Sequence, residues 1–399
     1  MLKENKVIKP NKTGVWIAGL VRFLAVVAAG MMVLNACTSS EDKTQQAQKR
    51  NTVTIGWIGP LTGPISLIGV DNLKAVRMAI EKYNTDRKSV EPEIKLIIED
   101  DQMVAKNSVN AYQKLVSEQR PDVVMLSSYS GMFLIADDAL REGMILVNPI
   151  DNDSNLAKLN KNVFVIAKQT EGLAAVVANA LIDQGKKKVF IVFFNGDDFM
   201  PTLGNKVKEI FEKAGGKAIV RDYPAGTSDF RSLLAAGKDV KAEGYIFFGY
   251  VEIGFAMKQA REMGITQPFY SVNVITNPEL QANSQGAIEG TQFAHFTHLD
   301  GNTRAAELFL KRFQQKYHKS PAVSWTALQA FDATRIIIAA VVKASGQKGA
   351  FVDNIRRNML GTDDFEGVSG DLSIRPDGTS RGIYPSLYTL VGGKAVKNR

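Results

Sequence analysis

The chain has 399 residues, of which 45% are hydrophobic and 23% charged, as in a typical globular protein. This length accommodates two domains of ordinary size. The formal net charge is +8, but five basic side chains and only one acidic side chain fall in the first 36 residues, so about half of the excess lies there. No basic run is interleaved with aromatic residues, so a nucleic-acid partner is not expected.

The first segment has the layout of a secretory signal. A basic stretch precedes an apolar run that is densest over 23–34, and Ala36 and Cys37 follow it. This layout resembles a bacterial lipoprotein signal, in which the cysteine becomes the lipidated first residue of the mature protein. The alternative is an uncleaved membrane anchor, although the run beyond Arg22 is short for a bilayer span.

The lipoprotein interpretation predicts a signal peptide at 1–36 and a lipidated tether at 37–51. It places the protein across the cytoplasmic membrane, anchored by lipid and facing the periplasm or the cell exterior. Cys37 is the single cysteine of the chain, so no disulfide is expected in the mature protein. No later segment is expected to cross a membrane.

Apolar strands alternate with amphipathic helices from residue 53 onward. The first series predicts strands at 53–59, 94–98, 122–126 and 145–147, and helices at 72–83, 111–116 and 133–141. The second series predicts strands at 163–166, 188–194, 217–220, 245–248 and 269–272, and helices at 171–184, 206–213, 230–236 and 255–263. Two such series in one α/β chain predict two doubly wound parallel-sheet lobes.

The last third of the chain is predicted to be mostly helical. Its helices are expected at 303–317, 325–343 and 351–359. A hairpin is expected to pair 370–374 with 384–391 around the turn at 376–378.

Ligands of parallel α/β sheets bind beyond the carboxyl ends of the strands, so the loops that follow the strands are the candidate site. Ser128, Tyr129 and Ser130 follow the strand at 122–126 and precede a helix. Short hydroxyls and free backbone amides at a helix start suit a carboxylate ligand. They equally suit a simple helix cap, and the spacing does not decide between the two.

Several segments resemble a known family when they are taken in order. They are the opening strand and its Thr-Gly-Pro turn at 55–64, the pair Asp100-Asp101, the block at 142–149 and the Ala-Ile-Glu-Gly segment at 287–290. From residue 53 to nearly the C-terminus, the chain is similar to the solute-binding proteins of branched-chain amino-acid ABC transporters. That resemblance implies the type 1 periplasmic binding protein fold, with two lobes joined by three crossovers.

The resemblance also implies boundaries and partners. The first lobe is expected from 52–168 and 296–380, and the second from 169–295 and 381–399, with crossovers near Lys168, His295 and Arg381. The implied function is to close on a small molecule and deliver it to an ABC permease with ATPase subunits, without a cofactor. The alternative is a ligand-sensing or regulatory lipoprotein of the same fold that has no transport role.

Matching the family's ligand contacts onto this chain gives ten candidate positions. They are Trp57, Ser128, Tyr129, Ser130, Ile150, Asp151, Asn152, Phe199, Tyr250 and Asn273. The family's carboxylate-binding serine falls at Tyr129 or Ser130, and its acidic partner for the ligand ammonium falls at Asn273. An aromatic residue of the opening loop falls at Ile68, with Trp57 on the preceding strand.

Two departures from the family pattern bear on the ligand. Asn273 carries no charge, so an ammonium group needs another partner, for which Glu252, Asp197 and Asp198 are the candidates. Asp151 repels a carboxylate. The sequence therefore predicts that the ligand is not leucine, isoleucine or valine, but an amide, an aromatic or another small organic compound.

Other chemistry is not expected. The segment His295-x-x-His298 supplies too few ligands for a metal site and is predicted to be a pair of polar surface residues. The chain has no phosphate-binding loop and no nucleophile elbow, so an enzyme is not expected and ATP hydrolysis is assigned to another subunit.

Overall fold

The computed structural model describes residues 50–151, 154–167, 170–296, 303–382 and 384–398. The described residues belong to one compact unit. The predicted signal peptide with Cys37 lies outside them, as do Asn152, Lys168 and His298.

Two sheets form the centres of two lobes. The strands are β1 Thr52–Gly59, β2 Glu93–Asp100, β3 Val123–Leu126, β4 Ile145–Asn148, β5 Val163–Val165, β6 Lys188–Phe194, β7 Lys217–Tyr223, β8 Tyr245–Phe248, β9 Phe269–Val272, β10 Gln292–Phe296, β11 Ser373–Ile374, β12 Ser380–Arg381, β13 Pro385–Val391 and β14 Lys394–Lys397. The first sheet has the order β2-β1-β3-β4-β5, and all its pairs are parallel. Its winding direction reverses between β1 and β3, which is where a crevice opens at the carboxyl ends of such strands.

Helices cover both sheets. They are α1 Ser66–Asp86, α2 Ala105–Gln119, α3 Tyr129–Arg141, α4 Ser154–Ala157, α5 Thr170–Asp183, α6 Phe199–Lys213, α7 Arg231–Asp239, α8 Ile253–Glu262, α9 Pro278–Ser284, α10 Arg304–Tyr317, α11 Ser324–Ser345 and α12 Phe351–Leu360. Strands β3, β4, β8 and β9 are buried along their whole length, as expected for strands covered on both faces. The alternation predicted from the sequence is therefore the observed architecture.

The second sheet is larger and mixed. Its order is β14-β13-β10-β9-β8-β6-β7. Strands β6 to β10 are parallel, whereas β13 pairs antiparallel with both β10 and β14. The sequence did not predict β10 or β14, because β10 is short and contains the polar residues Gln292 and His295, and β14 is a lysine-rich edge strand.

The predicted hairpin of 370–374 with 384–391 is wrong. The turn that contains Asp377 joins β11 to β12, in the register Ser373 to Arg381 and Ile374 to Ser380. Asp377 accepts hydrogen bonds from the backbone N–H and the hydroxyl of Thr379, which closes this turn immediately before β12. The following strand is thereby free to join the second sheet.

His295 is also not the surface residue that the sequence predicts. It lies on β10 with 2% of its surface exposed. Its ring centroid lies 5.1 Å from that of Tyr388 and 5.7 Å from that of Phe293. The residue therefore belongs to the packing between β10 and β13.

Helices α10 to α12 return to the first lobe. Asp71 of α1 is 1% exposed. It accepts a hydrogen bond from the backbone N–H of Ala322 and forms an ion pair with Lys319. Helix α11 has the length and hydropathy of a membrane span, although no such segment was expected from the sequence. Of its most apolar stretch, however, 78% is buried inside the protein. Its contacts with α1 make it a core helix of the first lobe.

Three crossover segments, called passages below, connect described elements of the two lobes. They run from β5 to α5, from β10 to α10 and from β12 to β13. The first and third lie side by side. The backbone N–H of Ala167 donates to Ser380 Oγ at 3.1 Å, and the Ser380 hydroxyl donates to the Ala167 carbonyl. The lobe boundaries expected near 168, 295 and 381 remain a prediction. Segments that connect two lobes in this way are where hinge motion occurs.

Gly69 sets the approach of α1 to the loop after β1. A Cβ at this position would lie 1.8 Å from the carbonyl oxygen of Pro60. We therefore expect Gly69→Ala to lower the free energy of unfolding by about 1–3 kcal/mol, because backbone must move to relieve the overlap. Urea denaturation checks this, with Gly346→Ala as the control, since an added Cβ there would lie 3.9 Å from the carbonyl oxygen of Lys343. Equal losses in the two variants would contradict the prediction.

Candidate functional site

A cavity of about 280 Å³ lies between the lobes, at the carboxyl ends of strands of both sheets. Its wall is lined by Ile65, Ile68, Met103, Val104, Ala105, Ser128, Tyr129, Ser130, Ile150, Asp151, Asn195, Gly196, Asp197, Asp198, Phe199, Met200, Tyr250, Val272, Asn273, Val274, Val323, Trp325 and Thr326. Residues up to Asp151 and from Val323 belong to the first lobe, and the others to the second. An apolar wall with a few converging polar groups is typical of a small-molecule site.

The cavity brings together most of the positions predicted from the sequence. Eight of them line it: Ser128, Tyr129, Ser130, Ile150, Asp151, Phe199, Tyr250 and Asn273. Asn152 lies outside the described residues. Asp197 and Asp198, the candidate partners of an ammonium group, and Ile68, the position of the family's opening-loop aromatic, are part of the same wall.

Trp57 requires a correction, because the structure does not place it in this wall. Its side chain is 0% exposed and belongs to the core of the first lobe. The ring extends over Gly59, where an added Cβ would lie 2.7 Å from two ring carbons. Residues two apart on a strand face the same side, so the ring follows that side of β1 instead of entering the cleft.

Ser128 and Ser130 have different roles at the start of α3. Ser128 is the N-cap, and its Oγ accepts a hydrogen bond from the Gly131 N–H at 3.1 Å. This cap begins the helix at Tyr129, four residues before the predicted start at 133. Ser130 instead points across the cleft, where its hydroxyl donates to the carboxylate of Asp198 in the other lobe.

Asp197 organises the second-lobe side of the cavity. Its Oδ1 accepts hydrogen bonds from the N–H groups of Phe199 and Met200 at 2.9 and 3.0 Å, and its Oδ2 accepts from the Tyr250 hydroxyl at 2.7 Å. These bonds start α6 at Phe199, seven residues before the predicted helix at 206. Asp197 therefore fixes the positions of two aromatic side chains of the wall.

Burial is the largest influence on the pKa of both Asp197 and Tyr250. Burial raises the pKa of the Asp197 carboxyl, although the hydrogen bonds from Met200, Tyr250 and Phe199 oppose the shift. Burial, followed by the charge of Asp197, raises the pKa of the Tyr250 phenol well above its usual value. The phenol is therefore the donor and the carboxylate the acceptor. The charge of Asp151 contributes to the same shift of Tyr250, which places it in the same electrostatic environment.

Glu252 does not reach the cavity wall. Its Oε1 accepts hydrogen bonds from the Tyr223 hydroxyl at 2.8 Å and from the Tyr250 N–H at 3.0 Å. Of the three acidic candidates for an ammonium partner, the structure thus brings Asp197 and Asp198 to the wall and leaves Glu252 behind Tyr250.

The loop after β1 is fixed by Asp100. Its carboxylate accepts hydrogen bonds from the backbone N–H of Leu61 at 2.8 Å and from the Thr62 hydroxyl at 2.6 Å. The hydrogen bonds from Thr62, Leu61 and Gln102 outweigh burial and lower the pKa of Asp100. The carboxylate thus holds the loop that precedes Ile65 and Ile68.

Sequence reasoning missed one group of wall residues. Met103 and Val104 follow β2, and Val323, Trp325 and Thr326 lie at the start of α11. The first two follow Asp100 at a strand end, which is a signal that could have been used. The α11 residues are more than 170 positions away in sequence from Asp151, and only the return of the chain to the first lobe brings them to the cleft.

The contact between Ser130 and Asp198 joins the two lobes at the rim of the cavity. We expect Ser130→Ala to weaken the closed form by about 1 kcal/mol, a roughly fivefold shift toward open molecules, because the bond is solvent-exposed. Small-angle X-ray scattering of the unliganded protein would show a larger mean radius of gyration. Ser117→Ala is the control, because the Ser117 hydroxyl donates to the Lys114 carbonyl within α2. No difference between the variants would refute the expectation.

In the described part of the chain, no group of three or more His, Cys, Asp or Glu side chains is placed to hold a metal ion. Two α/β lobes face each other across the cavity, and three passages connect them. This arrangement defines a two-lobed binding protein of the periplasmic type. The comparisons with known proteins agree with this class.

The sequence pattern of the family described as periplasmic binding protein matches residues 52–386, so the chain belongs to this family. A Pseudomonas aeruginosa protein named as binding leucine, isoleucine, valine, threonine and alanine is 25% identical over 60% of this chain and 65% of its own length. The chain is thus similar in sequence to binding proteins named for branched-chain amino acids.

Solved structures share the fold. A leucine-binding protein from Thermotoga maritima has a TM-score of 0.75 and 22% identity, over 87% of this chain and 98% of that one. A solute-binding protein of an ABC transporter from Rhodopseudomonas palustris, in complex with 3,4-dihydroxybenzoic acid, has a TM-score of 0.74 and 19% identity, over 87% and 96%. Members with this fold thus bind chemically different solutes.

Proposed function

We propose that this chain is an extracytoplasmic solute-binding protein that captures a small organic molecule between its lobes by hinge closure. The observation that supports this proposal most strongly is the cavity itself, since residues from both lobes share its wall. The paired passages at Ala167 and Ser380 supply a hinge, because rotation about them moves the two walls apart.

We further propose that the closed form delivers its solute to an ABC permease with ATPase subunits. The Rhodopseudomonas palustris neighbour is described as a solute-binding protein of an ABC transporter, which supports the same assignment here. The proposed role is binding and not catalysis. Two-lobed binding proteins need only a difference in ligand affinity between open and closed forms to signal that they are loaded.

The proposal includes a lipid anchor at Cys37. It predicts that the protein enters the membrane fraction and incorporates radiolabelled palmitate in a bacterial host, whereas Cys37→Ser does neither. Ser39→Ala, two residues away, is the control and should behave like the wild type. A Cys37→Ser protein that is cleaved at the same site and still remains in the membrane would remove this part of the proposal.

The central test is a thermal-shift screen of the purified protein against a library of amino acids, amides, amines and aromatic acids. A solute that binds the folded protein raises its melting temperature, and a solute that closes the lobes also lowers the radius of gyration in scattering experiments. Stabilisation together with compaction supports capture by hinge closure. If no solute in a broad library does either, the proposal fails.

Transport is tested separately from binding. The loaded protein should stimulate ATP hydrolysis by its cognate permease reconstituted in vesicles, and the unloaded protein should do so less. A protein that binds a solute and closes, but stimulates no permease encoded beside it, would support the sensing role instead.

A further inference from the structure

The wall of the cavity carries negative charge only. Asp151, Asp197 and Asp198 line it, and no Lys, Arg or His is among the described residues that do. Asp151 is 5% exposed. A cleft of low polarity concentrates the field of such groups, so a cationic ligand is attracted and an anionic ligand repelled.

Two of the helix starts at the cavity, where an anion could bind, are already supplied with the protein's own carboxylates. Helices α3 and α6 both begin at the cavity, and a helix N-terminus favours negative charge. At α3 the hydroxyl of Ser130 donates to Asp198, and at α6 the N–H groups of Phe199 and Met200 donate to Asp197. At either of these two helix starts, a ligand carboxylate would have to displace a carboxylate of the protein.

Four aromatic side chains form part of the same wall: Tyr129, Phe199, Tyr250 and Trp325. The face of an aromatic ring attracts a cation within about 6 Å, most strongly when the ring is that of tryptophan. Carboxylates and aromatic faces together are therefore suited to an ammonium group and to the apolar atoms attached to it.

Asn273 adds an independent requirement. It lies at the end of β9, is 3% exposed, and its Nδ2 has no hydrogen-bond partner in the described structure. A buried donor without a partner is costly, so it indicates a ligand atom that accepts a hydrogen bond. Because three carboxylates line the cavity and no Lys, Arg or His is among the described lining residues, that acceptor is better uncharged than anionic.

We propose that the ligand of this cavity is a cationic amine that carries an uncharged acceptor, an amide carbonyl or a hydroxyl, in place of a carboxylate. Amino-acid amides and amino alcohols are the class. This inference rests on the proposed solute-binding function and specifies its ligand. It sets the chain apart from relatives named for amino acids and from the neighbour that holds an aromatic acid.

Calorimetric titration of the full chain with three probes of one carbon skeleton tests the proposal. L-Leucinamide has the cation and a neutral acceptor, L-leucine adds a carboxylate, and 4-methylpentanoate has the carboxylate alone. We expect leucinamide to bind at least about 30-fold more tightly than leucine, and 4-methylpentanoate not to bind. Tighter binding of leucine or of 4-methylpentanoate overturns the proposal.

A variant pair gives the second readout. Asp151→Asn is expected to weaken leucinamide binding about tenfold or more and to narrow the gap between leucinamide and leucine, because it removes one negative charge. Asp138→Asn, on the outer part of α3 beside Arg141, is the matched control and should change neither affinity. A gap unaffected by Asp151→Asn counts against the proposal.

The library screen separates the two levels of failure. If none of the three probes binds, the proposal is judged by the charge of the solute that raises the melting temperature most in the library screen. A cationic solute without a carboxylate supports the proposal, and a neutral or anionic solute overturns it. In the latter case the proposed solute-binding function stands. If no solute stabilises the protein, both fail together.

Discussion

Replacement of Asp332 by alanine is expected to lower the free energy of unfolding by about 3–5 kcal/mol. The carboxylate lies on the core helix α11 and is 0% exposed. Its Oδ1 accepts from the Val368 N–H at 3.0 Å, and its Oδ2 accepts from the N–H and the hydroxyl of Ser369, both at 2.7 Å. Alanine removes all these acceptors and leaves two backbone donors unpaired.

The segment that Asp332 holds leads to β11, β12 and the third passage between the lobes. Loss of the Asp332 carboxylate should therefore destabilise β11, β12 and the third passage as well as the segment at 368–369. Urea denaturation followed by circular dichroism measures the change, and Asp332→Asn should cost less because it retains one acceptor oxygen. Asp353→Ala on α12 is the control, since its side chain is 46% exposed and forms an ion pair with Arg356; it should cost about 0.5 kcal/mol or less. A similar small loss for Asp332→Ala would contradict the argument.

The elements that sequence predicts well are those whose pattern is local. Strands such as β6, β8 and β9 are continuous apolar runs, and their predicted and observed bounds coincide. The starts of α3 and α6 are missed because they depend on the N-cap Ser128 and on Asp197, which precedes the N-cap of α6. The hydrogen bonds of these two side chains extend each helix beyond its apolar pattern. Local periodicity therefore finds the helix but not its first turn.

Pairing between distant strands is not predictable in the same way. Strand β13 pairs locally with β14, but its other partner, β10, ends nearly ninety residues earlier. Turn chemistry at Asp377 correctly indicated a tight turn, but it joins two short strands of two residues each. Only the folded arrangement decides which edge of which sheet is free to accept a strand.

The candidate site shows the same division. Residues directly after strands, such as Tyr129, Asp151 and Tyr250, could be predicted because parallel sheets place strand ends together. Trp57 was chosen for its type, but its place within β1 directs it to the core. Trp325 could not be found, since a helix start far along the chain gives no sign of its distance from the cleft.

Trp325→Ala is expected to weaken binding of leucinamide, or of the tightest solute from the screen, by about 30-fold to 1,000-fold. The ring lines the cavity from the first lobe, and its centroid lies 6.3 Å from that of Phe296 at the end of β10. Removal of the ring deletes the largest aromatic face of the wall and a contact between the first lobe and the second sheet. Titration calorimetry gives the dissociation constant directly.

Two further variants separate a binding effect from a folding effect. Trp325→Phe keeps an aromatic face at this position and should lose about tenfold or less, because a phenyl ring still covers part of the ligand. Phe351→Ala removes an aromatic ring of the first lobe that contacts Arg50 and lies outside the cavity wall, so its dissociation constant should match the wild type. If Trp325→Ala binds within threefold of the wild type while it remains folded, the ring does not form part of the ligand site, and the closing of the cavity must depend on the second-lobe pair of Phe199 and Tyr250.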